Sequence, residues 1–260
     1  MGTTVRGRHS SCTYLPRLRY TSLFMQVFVI IPAAGLGTRM APPGAVGHAP
    51  KQFLELGGQP ILVRALSAFL HVPSIQHIYV AVRQSEIERV EAQLREHDLL
   101  TRVTVVEGGD TRQESVRNAL KILPAADDDI VLVHDAVRPM IDPATIERTI
   151  EAVVRHQAAI VAVPAVDTIK QVERTADGAI ITSTIPRERV VLAQTPQGFR
   201  CHILRRAVEE ADADGFIGTD EASLAERIGI DVAVVPGSAR NFKITKPGDL
   251  ALAEFYLRES

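Results

Sequence analysis

Arg39 and Lys51 are residues whose types could do chemistry on an anion, and both stand beside turn-forming stretches. Arg39 ends the run Pro32-Ala33-Ala34-Gly35-Leu36-Gly37-Thr38-Arg39, which follows the apolar segment FVII. Small side chains there let the main chain approach a ligand, glycines allow turn conformations closed to other residues, and exposed amides can hold phosphate oxygens. Lys51 follows a Pro/Gly-rich loop and precedes Gly57-Gly58-Gln59-Pro60, so a second cation comes from a neighbouring loop. The pattern suits a phosphate-bearing ligand. It fits neither a Walker loop, since GxxxxGK[ST] is absent, nor the dinucleotide fingerprint, since GLGTRM lacks the third glycine.

Such a turn needs a strand before it and a helix nearby. From Met25 onward, short β-branched runs alternate with amphipathic stretches, which predicts an α/β fold: a doubly wound, mostly parallel, Rossmann-like sheet covered on both faces. Strands are expected at 28–33, 75–82, 103–108, 129–136, 158–165 and 230–237. Helices are expected at 60–72, 85–100, 112–123, 143–157 and 220–228. Ser85 with Glu88 reads as a capping box, and Asp142 before Pro143 as an N-cap with proline in the first turn. Residues 166–192 break the alternation with β-formers around Asp177-Gly178, a dipeptide of tight hairpin turns. An isolated hairpin is marginal in water, so this arm is expected to pack against something, plausibly the same arm of a second copy.

The composition sets outer bounds. The chain has 260 residues, 46% hydrophobic and 23% charged, enough for a large core, and its net charge of -2 gives no general pull toward nucleic acid or anionic membrane. Two cysteines without CxxC spacing and eight scattered histidines argue against a disulfide framework or a zinc site. Gln26 and Pro32 interrupt the best apolar stretch below the roughly 18 to 20 residues that span a bilayer. Residues 1–24 carry Arg6, Arg8, Arg17 and Arg19 and no acid. They read as an N-terminal extension, disordered or processed, ahead of a single domain at 25–257; a transit peptide is the alternative to an upstream start with Met25 as the working one.

Seven further ordered stretches raise the specificity: PKQFLELGGQPIL, GGDTRQESV, VHDAVRP, VPAVDTIK, LAQTPQGF, TDEASLAE and NFKITKPGDLALAEFYL. With AAGLGTRM, they make the chain resemble the 2-C-methyl-D-erythritol 4-phosphate cytidylyltransferase family of nucleotidyltransferases over about residues 26 to 257. The resemblance implies transfer of CMP from CTP to 2-C-methyl-D-erythritol 4-phosphate, with release of pyrophosphate, in the non-mevalonate isoprenoid route. It assigns Arg39, Lys51, Arg187 and Lys243 to the reacting phosphates, and Ala33, Ala34, Gly35, Gly37, Gly109, Asp110 and Ser115 to CTP. Asp135, Ala136, Arg138, Thr168, Thr195 and Thr219 would bind substrates. Independently, Asp110 is a physically sensible helix cap, and His134 reads as a structural neighbour of Asp135.

The same resemblance implies Mg²⁺ carried mainly by the CTP phosphates, a homodimer whose arms reach each other's pockets, no nucleic-acid or membrane partner, and a bacterial cytoplasmic setting. No metal ligand is assigned, because Arg240 stands where some relatives carry an acid. The interval APPGAVGHAP before Lys51 is longer than the family pattern, and the chain's end near residue 260 leaves no room for a fused cyclase domain. Ribitol-5-phosphate cytidylyltransferase, which shares most of these stretches, and a non-catalytic nucleotide-binding protein of the same fold stay open at this stage.

Overall fold

The computed structural model describes residues 25–35 and 50–259. The expectations for residues 1–24, Gly37 and Arg39 lie outside the described residues. Seven strands form one sheet in the order β11-β7-β10-β6-β1-β4-β5. β1 (Val27–Pro32) is parallel to β4 (Ile75–Val82) on one side and to β6 (Ile130–Val133) on the other. β5 (Val103–Glu107) extends the sheet beyond β4, and β11 (Ala233–Pro236) is parallel to β7 (Ala158–Pro164) at the far edge. Only β10 (Val191–Arg200) runs against its neighbours β6 and β7.

The period-2 geometry of a strand explains why these segments read as continuous apolar runs. Val27, Val29 and Ile31 join Ile130 and Leu132 in a core with α1 (Ile61–Leu70), α2 (Ile87–Glu96) and α4 (Pro143–His156). Phe28, Ile30, Val131 and Val133 face the other way, into a core with α3 (Arg112–Ile122), α5 (Cys201–Ala213) and α6 (Glu221–Arg227). Both faces of the sheet are therefore covered. A third cluster of Leu56, Ile61, Val137, Ile244 and Ala253 docks α7 (Pro247–Arg258) beside the hairpin β2 (Glu55–Leu56) and β3 (Gln59–Pro60). That hairpin turns on Gly57 and Gly58, at φ 56° and 75°, the left-handed pair that a two-residue turn of this hand requires.

Several expectations shift. Asp142 caps α4 as anticipated, accepting from the Thr145 amide at 2.8 Å. Ser85 does not cap α2: a short 3-10 turn at Gln84–Glu86 intervenes and Glu86 takes the position. Asp110 is not the cap of α3; Thr111 is, in a capping box with Glu114, because the chain turns one residue later. The arm is β8 (Ile169–Thr175) paired with β9 (Gly178–Ile185), its two-residue turn falling on Ala176-Asp177.

Candidate active site

Parallel sheets place ligands beyond the carboxyl ends of their strands, where neighbouring strands leave toward opposite faces. β1 is such a strand, with β4 and β6 on its two sides. A cavity of about 270 Å³ opens there, lined by Ala33, Ala34 and Gly35 after β1, Gly109, Asp110 and Ser115 after β5, and Asp135 and Ala136 after β6. Lys51 and Lys243 line it as well. Thr168, Arg187 and Thr219 do not. Thr168 and Arg187 stand exposed at the base of the arm, where Arg187 Nη1 donates to the Val166 carbonyl at 2.6 Å, and Thr219 is exposed in the loop before α6.

The loop after β1 is held by two side chains that the motifs did not single out. Gln52, 5% exposed, donates Nε2 to the Ala33 carbonyl at 2.7 Å, and Arg83 donates Nε to the Ala34 carbonyl at 2.9 Å. The Ala33 amide donates to Ala81 O, so this residue's main-chain groups already serve the fold. Gln52 belongs to the 3-10 turn Lys51–Phe53, so the same turn ties down the loop and presents the lysine.

Across the cavity, Gly108 and Gly109 fit where a side chain could not. A Cβ on Gly109 would lie 2.3 Å from Glu114 Cβ, and one on Gly108 would lie 2.7 Å from Ala34 Cβ. Ser115, 1% exposed, accepts from the Gly109 amide at 3.1 Å and donates to Thr111 O at 2.9 Å. Its hydroxyl thus shapes the turn that lines the cavity.

Asp135 is the electrostatic centre. Its Oδ1 takes Arg112 Nε at 3.2 Å, and its Oδ2 takes Arg138 Nε at 3.2 Å and Lys243 Nζ at 3.0 Å. Burial alone would push this carboxyl up, but the three cations outweigh it and hold the group well below the usual carboxylate range. Arg138 reaches past it to the Asn241 carbonyl at 2.8 Å, fixing the Lys243 loop to the end of β6. Beneath, Thr195 Oγ1 accepts from the Asp135 amide at 3.1 Å and donates to His134 Nδ1 at 3.0 Å, while His134 Nε2 donates to Arg138 O at 3.0 Å. Both imidazole nitrogens are used in a neutral tautomer, and burial pushes the His134 pKa down to about 4.

Arg112 was legible only as one letter of a motif. At the first turn of α3 it lines the cavity and also donates Nη1 to both oxygens of the buried Glu221, at 2.6 and 2.7 Å. No composition or spacing signal marked that pair, because the partners are separated by 109 positions.

A glycine-lined cavity at the switch in a mostly parallel sheet, ringed by cations, defines a site for a phosphorylated nucleotide. A family model for IspD, 2-C-methyl-D-erythritol 4-phosphate cytidylyltransferase, matches residues 27–259. The chain is 65% identical over 235 residues to the enzyme of that name from Acidobacterium capsulatum, covering 90% of this chain and 98% of the relative. It is 50% identical to that of Solibacter usitatus over 90% of this chain and 97% of the relative. Among solved structures, the 4-diphosphocytidyl-2C-methyl-D-erythritol synthase of Anaerococcus prevotii superposes with a TM-score of 0.77 at 29% identity, over 90% of this chain and 96% of that one. The Francisella tularensis 2-C-methyl-D-erythritol 4-phosphate cytidylyltransferase gives 0.73 at 36% identity, over 88% and 99%. The chain belongs to the 2-C-methyl-D-erythritol 4-phosphate cytidylyltransferase family.

Proposed function

We propose that the protein transfers CMP from CTP to 2-C-methyl-D-erythritol 4-phosphate, giving 4-diphosphocytidyl-2-C-methyl-D-erythritol and pyrophosphate. A phosphate oxygen of the alcohol attacks the α-phosphorus of CTP. The new P–O bond forms as the bond to the bridging oxygen of the β-phosphate breaks, and pyrophosphate leaves with that oxygen and its electron pair. The nucleophile is already an anion, so the step needs no general base. It needs positive charge aimed at the reacting oxygens.

The observation that carries the reading is the convergence of Lys51, Arg112 and Lys243 on the one cavity floored by Ala33, Ala34, Gly35 and Gly109. Lys51, with Arg39, would stabilise charge at the α-phosphate, and the turn from Gly109 to Ser115 would take the cytosine. Asp135, kept ionised by its three cations, would accept a hydroxyl hydrogen bond. Lys243 would pass from Asp135 toward the alcohol phosphate, joined by Arg187 and Thr168 from the arm of a second copy; the exposed Val172, Ile180 and Ile181 support a partner for that arm. Magnesium would arrive on the triphosphate: the described residues contain no group of three His, Cys, Asp or Glu side chains that could hold a metal, and both Asp135 oxygens are engaged by cations, so no step is assigned to protein-bound metal. No described helix is long and apolar enough to cross a membrane. The likeness to bacterial relatives supports a bacterial cytoplasmic setting for the activity.

The test is pyrophosphate release with CTP, UTP, ATP or GTP, offered in turn with 2-C-methyl-D-erythritol 4-phosphate and with ribitol 5-phosphate. Turnover confined to CTP with the methylerythritol phosphate is expected; equal or better turnover with ribitol 5-phosphate would overturn the substrate, and none with either would overturn the activity.

A further inference from the structure

We propose that Glu221 and Arg112 form a positioning pair: Glu221 pins the Arg112 guanidinium so that it braces Asp135 Oδ1 and leaves Oδ2 to aim the Lys243 ammonium into the cavity. This rests on the cytidylyl transfer proposed above and deepens it.

The geometry carries the inference. Glu221 is the first residue of α6 and 1% exposed, with both carboxylate oxygens on Arg112 Nη1. The same guanidinium donates Nε to Asp135 Oδ1 at 3.2 Å. One planar fork therefore links two carboxylates in fixed directions, which a point charge such as lysine cannot do. A contact that merely fastened α3 to this part of the chain would not need to reach Asp135, and Gln113 already ties α3 to the loop before α6. Its Nε2 donates to Phe216 O at 3.1 Å and its Oε1 accepts from the Gly218 amide at 3.0 Å. Arg112 adds the connection to Asp135, and through it to Lys243 at 3.0 Å.

The electrostatics give the pair a task. Arg112 lines the cavity that would receive a triphosphate, and a cation held only by Asp135 would be drawn from it by the incoming charge. Burial pushes the Glu221 carboxyl up, but Arg112 Nη1 donates to both of its oxygens at 2.6 and 2.7 Å, the contact of a paired carboxylate. With Asp135, Glu221 outweighs burial at Arg112 and holds that pKa above its ordinary value. Asp135 then keeps its orientation while Lys243, 33% exposed, remains the cation able to follow the substrate.

The experiment uses the full chain with Glu221→Gln, which keeps the shape and removes the charge. Turnover is followed by pyrophosphate release, CTP affinity by calorimetry without the alcohol phosphate, and folding by thermal melting. A kcat lower by about 10- to 100-fold, the scale for misplaced catalytic groups, is expected with a CTP Kd within about threefold of wild type. Arg112→Lys should fail to restore kcat although it keeps the charge. A Glu221→Gln protein that melts normally and turns over within about twofold of wild type overturns the pair, and so does a CTP Kd weakened in proportion to kcat. Where a single variant does not fold, Arg112→Met with Glu221→Leu replaces the pair by apolar volume, an exchange that buried ion pairs tolerate; wild-type kcat in that double variant overturns the proposal. A wild-type protein without turnover overturns the cytidylyl-transfer reading itself, a result distinct from an unaffected variant of an active enzyme.

Discussion

Lys51 and Lys243 reach the cavity from separate segments, one on a 3-10 turn tied to the loop after β1, the other on the loop before α7. Neither side chain belongs to the apolar core, so Lys51→Met and Lys243→Met should each fold and lower kcat by roughly 10²- to 10³-fold, the usual loss of one preorganised transition-state donor. Some loss of stability is expected in Lys243→Met, because Asp135 gives up one of its three cations. Steady-state pyrophosphate release measures this, and near-wild-type kcat in both would remove them from the reacting centre. His134, one residue before Asp135, gives a stability prediction instead. Its unfolded pKa is near 6.5 and its folded value about 4. Below pH 6.5 the unfolded chain takes up a proton that the folded one refuses, so stability falls as the pH drops from 6.5 toward 4, and nothing changes above 6.5. Wild type should therefore lose about 1.6 kcal/mol more than His134→Gln between pH 6.5 and 5 in urea unfolding. Parallel pH curves for the two proteins would show that His134 is not held neutral.

The turn from Gly108 to Ser115 shows what an element contributes beyond its residues. Thr111 caps α3, Glu114 reaches back to the Thr111 amide at 2.9 Å, and Gly109 passes over Glu114 with no room for a Cβ. Thr111→Ala should cost about 1 kcal/mol of stability as a lost N-cap. Gly109→Ala should cost about 1 to 3 kcal/mol by overpacking and weaken CTP binding as well, because the displaced turn is the cavity wall. Chemical denaturation with CTP calorimetry separates the two; an alanine at 109 that leaves both untouched would mean the turn yields freely. The alternation of short β-branched runs with amphipathic stretches made β1, β4, β5, β6, β7, β11 and five helices readable from sequence, since both sheet faces are covered and most strand positions are apolar. β10 was not readable. Its centre, Gln194-Thr195-Pro196-Gln197, is polar because it serves the site: its pairing with β7 breaks between Ala193 and Gln197, Thr195 turns to His134, and Gln197 donates to Asp220 at 2.8 Å. Lys51 was legible from its place beside the glycine-rich turn and Lys243 from the family resemblance, whereas Gln52 and the Arg112–Glu221 pair depend on contacts between distant segments and could be found only after folding.

At the scale of the whole molecule, the proposed second copy bears on the arm. β8 and β9 pair only with each other, and their residues are almost all exposed, Ile180 by 62% and Ile181 by 60%. A two-stranded ribbon is marginal in water, and adjacent exposed isoleucines on it are better explained by a surface that covers them. Arg187 and Thr168 stand at the arm's base, outside the cavity that Lys51, Asp135 and Lys243 line. If the arm completes the cavity of a second copy, assembly and turnover must fall together. Ile180→Asp with Ile181→Asp should convert a dimer to a monomer by sedimentation, because charge placed in an apolar contact is not repaid by any partner. The same protein should keep its melting behaviour in the sheet domain and lose most of its kcat, with CTP affinity little changed. Adding an excess of a Lys51→Met protein, whose arm is intact, should then restore activity by pairing an intact cavity with an intact arm. A monomeric variant that turns over at the wild-type rate would place the whole site within one chain.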